Sequence, residues 1–221
     1  IEAMNAIFDC WYDGKRLEFA GEYYRHDLMP ATFKPEDTDG PRPRIMLSAT
    51  GPLMTKVAAE VADGMIMHPF SSERYMREVT LPAVEEGLAR SGRRLAGFEL
   101  DYAPMLAMGR DEEALERAIA RVRDRIAFYG CTVAYRPVLE LHGWGDLQDE
   151  LIPLNRAHRK EEMAALITDE MVETIAIVGA PEEVVDTMRK RFSGLVTRTG
   201  FGDADLERDE LSSLLGRLRG S

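Results

Sequence analysis

The chain has 221 residues, enough for one large domain or two small ones. Its formal charge of −11 and its lack of a basic tract argue against a nucleic-acid partner. Its 45% hydrophobic content is that of a globular protein, and no apolar run is long enough to span a membrane. Cys10 and Cys131 lie far apart, and we expect neither a signal peptide nor disulfides but a reduced protein in the cytoplasm.

The first 43 residues predict a helix, an aromatic arm and a loop. Apolar residues recur at helical spacing from the first position, at Ile1, Met4, Phe8 and Trp11. No capping residue precedes them, so the chain looks as if it begins inside a helix. Residues 19–24 predict an extended segment or hairpin arm, and the proline-rich residues 28–43 predict a surface loop that links elements rather than a lid.

The stretch 44–70 predicts a strand, a glycine turn, a helix and a second strand. Gly51-Pro52 follows a short apolar run, and Pro52 suits the first helical position. Leu53, Val57 and Val61 recur at helical spacing before Asp63-Gly64 ends the helix. In such a parallel unit both strands end on the same side, and the positive helix N-terminus after Gly51 faces that side. The pattern therefore favours an anion site at the turn, although a plain tight turn would need the same residues.

The remaining sequence repeats the order strand then helix. Four segments are convincing strands, at 44–48, 65–68, 98–108 and 195–200. Helices are predicted to begin near Ser71 or Ser72, Asp111, Thr168, Pro181 and Leu206. Pro82 predicts a kink in the first of these helices, and Gly130 suits the position just after the end of the second. The order predicts a parallel sheet, either doubly wound or closed as a (β/α) barrel, and four strands are too few to close an eight-stranded barrel.

The segment 131–160 breaks this rhythm and is interpreted as an insertion. Its aromatic residues Tyr135 and Trp144 could line a substrate pocket or simply fill the core beneath the insertion. His26, His142 and His158 are expected to be solvated. No pair of histidines has metal-ligand spacing, so no metal site is predicted.

Glu99 and Asp101 alternate along the third strand. They lie early in that strand, far from the carboxyl ends at which barrel enzymes place their active sites. We therefore expect the two carboxylates to have a structural role.

Several motifs lie in order along almost the whole chain. They are FAGEYY at 19–24, ATGP at 49–52, ADG at 62–64, LPAVEEGLARSGR at 81–93, Tyr129-Gly130 with Tyr135 beyond it, and VGAPEEVVDTM at 178–188. In their order and spacing they resemble the bacterial luciferase-like monooxygenase superfamily, and within it the coenzyme F420-dependent oxidoreductases.

This resemblance implies a (β/α)₈ TIM barrel of which only part is present. The four strands would be the fifth to the eighth, residues 1–221 would be one partial barrel domain, and the first half would lie upstream of Ile1. In such enzymes the cofactor lies across the mouth of the barrel with its phosphate tail at the ends of the fifth and sixth strands. By position, the cofactor-binding residues are then Ser48, Ala49, Thr50, Gly51 and His68. His68 departs from relatives that carry a small hydroxyl residue there, and a hydrogen-bonded strand-end histidine is its other interpretation.

The resemblance further implies an oxidoreductase that transfers a hydride between coenzyme F420 and a small-molecule organic substrate of unknown identity. The alternatives are an FMN-dependent monooxygenase of the same superfamily and a non-catalytic flavin-binding half-barrel. Because family members place the reacting groups mostly on the early strands, the catalytic residues are unknown and we expect this chain alone to be inactive. Relatives are often dimers, so a homodimer is expected, with neither a nucleic-acid nor a membrane partner.

Overall fold

The computed structural model describes residues 1–202, 204 and 206–220. Its strands, in chain order, are β1 (Phe19–Ala20), β2 (Arg25–His26), β3 (Met46–Ala49), β4 (Gly64–Met67), β5 (Glu99–Tyr102), β6 (Met105–Met108), β7 (Ala176–Gly179) and β8 (Arg198–Thr199). Its helices are α1 (Glu2–Tyr12), α2 (Gly51–Val61), α3 (Glu73–Tyr75), α4 (Leu81–Arg90), α5 (Glu112–Gly130), α6 (Arg136–Leu141), α7 (Leu147–Arg156), α8 (Lys160–Ala165), α9 (Asp169–Ile175), α10 (Pro181–Phe192) and α11 (Arg208–Arg219).

The N-terminal part matches the predicted helix and aromatic arm. Strands β1 and β2 pair antiparallel as a small hairpin, which confirms the extended arm. The loop before β3 is tied to α1, because the Arg42 guanidinium donates hydrogen bonds to Asp9 and Asn5. These bonds therefore fix α1 relative to the start of β3, the first strand of the main sheet.

The main sheet contains four parallel strands in the order β3-β4-β5-β8. All four predicted strand segments take part, in their sequence order. The predicted single strand 98–108 is wrong in one respect, since it is interrupted at Ala103-Pro104 and forms the two strands β5 and β6. Proline has no backbone N–H to donate to a ladder, which explains the break. After it, β6 leaves the main sheet and pairs in parallel with β7, with Met105 opposite Ala176.

Two hydrophobic cores follow from this division. The first lies between the main sheet and the helices α2, α4, α10 and α11, and it includes Met65, Leu100 and Val84. The second lies in the helical lobe, which we define as β6, β7 and α5–α9, and it includes Ile126 and Leu151. Across the described residues, no helix combines the length and the apolar character that a membrane crossing requires.

Helix α2 packs on α4 through its small side chains. Ala58 and Ala59 are fully buried, whereas Leu53 is 73% exposed. The approach is so close that a Cβ on Gly87 of α4 would lie 2.3 Å from the carbonyl oxygen of Lys56. Small residues thus allow the two helices to pack closely, and the large side chain of Leu53 on α2 points away from the core.

One face of the main sheet is uncovered in the described part of the chain. The register aligns Ser48, Ile66, Asp101 and Arg198 in a single row across the strands. Side chains alternate between faces, and the neighbours of Ser48, Ile66 and Asp101 along their strands enter the first core. Ile66 is 42% exposed in the row. Parallel sheets are normally covered on both faces, so this row is a surface that lacks its usual cover.

Ion pairs lie on the same face, near the N-terminal end of β5. Glu99 contacts Arg44 at 3.1 Å and Arg198 at 2.8 Å, and Asp101 lies 3.9 Å from Arg198. The paired carboxylates agree with the structural role expected for Glu99 and Asp101.

The segment 131–160 contains a 3₁₀ turn (Val133–Tyr135) followed by α6 and α7. The predicted position of Gly130 just beyond a helix is wrong, since α5 includes it and its following cap, Cys131, has a right-handed backbone conformation. A Cβ on Gly130 would lie 2.7 Å from the Leu151 Cδ1 atom, so the glycine allows α7 to pack closely.

At Pro82 the predicted distortion takes the form of a π-helical turn, Met76–Thr80, directly before α4.

Candidate functional site

A small cleft opens where β3 and β4 end. Four of the five predicted cofactor-binding residues line it, namely Ala49, Thr50, Gly51 and His68, and its volume is about 30 Å³. The four meet because parallel strands present their carboxyl ends at the same edge. Ser48 is exposed in the uncovered row and does not line this cleft, so its place in the site remains a prediction.

The turn at Thr50-Gly51 presents the start of α2 to the cleft. Thr50 has an extended backbone and makes no side-chain capping bond to the helix. Gly51 has a φ of 76°, a left-handed conformation that favours glycine. The Thr55 hydroxyl donates a 2.8 Å hydrogen bond to the Gly51 carbonyl and holds the turn. The first-turn N–H groups of α2 are therefore left without a cap from Thr50, at the positive end of the helix dipole.

His68 is held by its backbone neighbour and by two aromatic rings. Its Nδ1 accepts a 3.1 Å hydrogen bond from the Phe70 backbone N–H. Its ring stacks on Tyr135 with centroids 4.4 Å apart and meets the edge of Tyr129 at 4.7 Å. Burial, assisted by the positive charge of Arg125, lowers the pKa of His68. The imidazole is thus neutral at pH 7, and with Nδ1 accepting, its proton lies on Nε2.

The hydrogen bond fits the structural interpretation of His68. A phosphate contact through the Nε2–H donor stays a prediction.

Tyr135 is the site residue whose role the sequence left open. It comes from the segment 131–160, yet it stacks on His68. Burial raises the pKa of Tyr135, Tyr129 raises it further, and the Thr50 side chain opposes the shift. Tyr135 and Thr50 are 85 positions apart along the chain, and no spacing pattern links them. Only the packing of the helical lobe onto the end of β4 brings them together.

A hydrogen bond also links the segment 131–160 to the loop after β4. Ser72 caps α3 by accepting from the Tyr75 backbone N–H, and its Oγ lies 2.8 Å from the Nε2 atom of His142. The expectation that His142 is solvated is wrong, because the ring is partly buried and stacks on Trp144 at 4.8 Å. Burial and the nearby Arg74 lower the pKa of His142. This pair fixes the segment 131–160 relative to the loop that carries His68.

The cleft therefore offers backbone N–H groups, a hydroxyl and a neutral imidazole beside an aromatic surface. Within the described residues, no group of three or more His, Cys, Asp or Glu side chains could hold a metal ion. The arrangement is suited to binding an anionic group next to a flat ring.

Comparison with known proteins gives one family and several relatives. The family model described as luciferase-like monooxygenase matches residues 1–198. An uncharacterized protein of Mycobacterium tuberculosis is 45% identical over 198 residues, which are 90% of this chain and 58% of that protein. The 5,10-methylenetetrahydromethanopterin reductase of Archaeoglobus fulgidus is 28% identical over 197 residues, covering 86% of this chain and 55% of the reductase. The chain thus spans little more than half the length of these relatives.

A solved structure shares the fold. The coenzyme F420-dependent tetrahydromethanopterin reductase from Methanopyrus kandleri superposes with a TM-score of 0.73 at 22% identity, over 98% of this chain and 60% of that enzyme. At this identity the likeness shows the fold alone, an α/β fold with parallel strands.

Proposed function

Since the chain belongs to the luciferase-like monooxygenase family, we propose that it is part of an oxidoreductase that transfers a hydride between coenzyme F420 and an organic substrate. The observation that carries this proposal is the cleft at the ends of β3 and β4, where the start of α2 has no side-chain cap. Relatives support the choice of cofactor by their names, which include an F420-dependent glucose-6-phosphate dehydrogenase of Nakamurella multipartita, 35% identical over 122 residues, or 55% of this chain and 34% of that enzyme.

The residues at the cleft fit the phosphate-bearing tail of such a cofactor. A Cβ on Gly51 would meet no atom within 4 Å, so the space above the turn is open to an anion. The amides of the first turn of α2 and the Thr50 hydroxyl can donate to phosphate oxygens, and the helix dipole favours negative charge there. His68 can add its Nε2–H, with Tyr135 holding the ring in place.

The deazaflavin supplies the hydride chemistry, whereas these residues bind and orient it. None of the residues at the cleft is assigned a catalytic role. The expectation that this chain alone lacks activity stays a prediction.

The partial barrel is a second component of the proposal. The uncovered row Ser48, Ile66, Asp101 and Arg198 lies on a parallel sheet that needs a cover. The chain also spans only 58% of its Mycobacterium relative. We propose that the remaining strand–helix units of a family barrel lie against this row, which places β3, β4, β5 and β8 as the later strands of that barrel.

A homodimer and a cytoplasmic location belong to the same proposal. The free cysteines Cys10 and Cys131 support a reducing compartment. The dimer is checked by light scattering, in which a monomeric mass would contradict it.

A paired titration tests the cofactor. The protein is titrated with coenzyme F420 and, separately, with FMN, and binding is followed by fluorescence. We expect saturable binding with tighter affinity for F420. A clear preference for FMN would favour the FMN-dependent monooxygenase instead, and binding of neither would contradict a cofactor site in this chain.

A further inference from the structure

A second cavity lies in the helical lobe and has Tyr129 in its lining. It has a volume of about 270 Å³ and is formed by α5, α7 and α8. Tyr129 lines it and also meets His68 edge-on at 4.7 Å. Tyr129 thus contacts a residue of the candidate site, but the two cavities share no lining residue.

The walls of this cavity are mostly apolar and aromatic. Met163 is buried and contributes to the lining, whereas Phe128 is 59% exposed. The rings of Phe128 and Tyr129 lie 5.5 Å apart at 60° and form an angled aromatic wall. Since a cavity of about 150 Å³ is enough to hold benzene, this one has room for an aromatic ring and a short side chain. Aromatic rings and a methionine thioether are both favourable partners for such a ring.

The polar rim carries a positive charge. Asp124, Arg125 and Lys160 line the cavity and sum to a formal charge of +1, although the whole chain has −11. Lys160 makes no ion pair with any residue that the structure describes, so its ammonium group is available to a ligand. The Asn155 side chain adds an amide donor at the same rim.

We infer that this cavity binds a monocyclic aromatic carboxylate. The ring lies against Phe128, Tyr129 and Met163, and the carboxylate pairs with Lys160. A neutral ligand of the same shape would lose the pairing with Lys160, and a purely aliphatic anion would lose the contacts with the aromatic wall. The inference goes beyond the proposed hydride transfer and does not depend on it, because the binding needs no cofactor.

Methionine-methyl NMR tests the inference locally. The protein is labelled with ¹³C-methyl methionine, and the Met163 signal is identified by its loss in Met163→Leu. The labelled protein is titrated, without cofactor, with 3-phenylpropanoate and with its uncharged analogue 3-phenylpropanamide. We expect a saturable shift of the Met163 signal with a dissociation constant on the order of millimolar for the acid, as is typical of so small a ligand. The amide should bind several-fold more weakly.

Three variants separate the charge from the aromatic wall. Lys160→Ala should weaken binding of the acid about two- to fivefold, the range of an exposed ion pair, and leave the amide unchanged. Phe128→Ala should weaken both ligands, and its exposure predicts an unchanged fold, checked by circular dichroism. Lys190→Ala, at a lysine that is also exposed but lies on α10, should change neither. A Met163 signal that does not shift, or equal affinities in the wild type and Lys160→Ala, would overturn the inference.

Discussion

Replacing Gly51 by aspartate and by alanine locates the cofactor phosphate. Gly51 has a φ of 76°, and a Cβ there would meet no atom within 4 Å. Either side chain therefore fits without a clash. The left-handed backbone costs alanine about 1–2 kcal/mol in stability and aspartate somewhat less, since aspartate tolerates this conformation better. The two variants differ mainly in one negative charge at the start of α2.

The expected loss follows from Coulomb's law. A carboxylate about 5 Å from a singly charged phosphate, at an effective dielectric constant of about 40–80, is repelled by roughly 0.8–1.7 kcal/mol. Relative to Gly51→Ala, the aspartate variant should therefore bind coenzyme F420 roughly four- to seventeenfold more weakly.

The assay is a fluorescence titration of the wild type and both variants with F420 at low and high salt. The gap between the two variants should shrink as salt rises, because the charges are exposed to solvent. Circular dichroism should be alike for the two variants, and the aspartate variant should melt no lower than the alanine variant, because a carboxylate suits the start of a helix. If Gly51→Asp binds F420 as tightly as Gly51→Ala at low salt, the phosphate does not lie at this turn.

Three further results are expected. Gly87→Ala should lower the free energy of unfolding by roughly 1–3 kcal/mol through overpacking against Lys56, and an unchanged melting temperature would contradict the tight contact. Leu53→Gln, at an exposed position, should alter that free energy by no more than about 0.5 kcal/mol in urea denaturation. Burial lowers the pKa of His68 and of His142, so the unfolded state binds more protons in mild acid. The free energy of unfolding should be constant above about pH 7 and should fall as the pH drops towards 5. A double variant with glutamine at both positions should lose less of it over that range, and an equal loss would refute the reasoning.

Local sequence chemistry predicted where elements start. Asp111 accepts a hydrogen bond from the Ala114 N–H, Ser72 caps α3, and Pro181 opens α10, as their residue types indicate. Capping and proline geometry involve residues within about four positions of each other, so they are readable from the sequence. The same holds for the repeated strand–helix order, which predicted a parallel sheet.

Long-range contacts decided what local chemistry could not. The break at Ala103-Pro104 redirects β6 to pair with β7, a partner about 70 residues away. Gly130 lies inside α5 and allows Leu151 to approach closely, and it does not end the helix. Whether a glycine ends a helix or allows another helix to pack closely depends on the residues that contact it. Sequence spacing does not identify those residues.

The candidate site combines both kinds of information. The turn at Thr50-Gly51 could be predicted from the residues themselves, because a helix N-terminus at the end of a parallel strand attracts anions. His68 was added by the resemblance to the family. Tyr135 and Tyr129 could not be added with them, since they reach His68 only when the helical lobe folds over the end of β4. Thus the sequence by itself determined the turn that we propose as an anion site, because it is made by consecutive residues. Only the tertiary structure decided the aromatic surface beside it, since those rings come from segments that are distant along the chain.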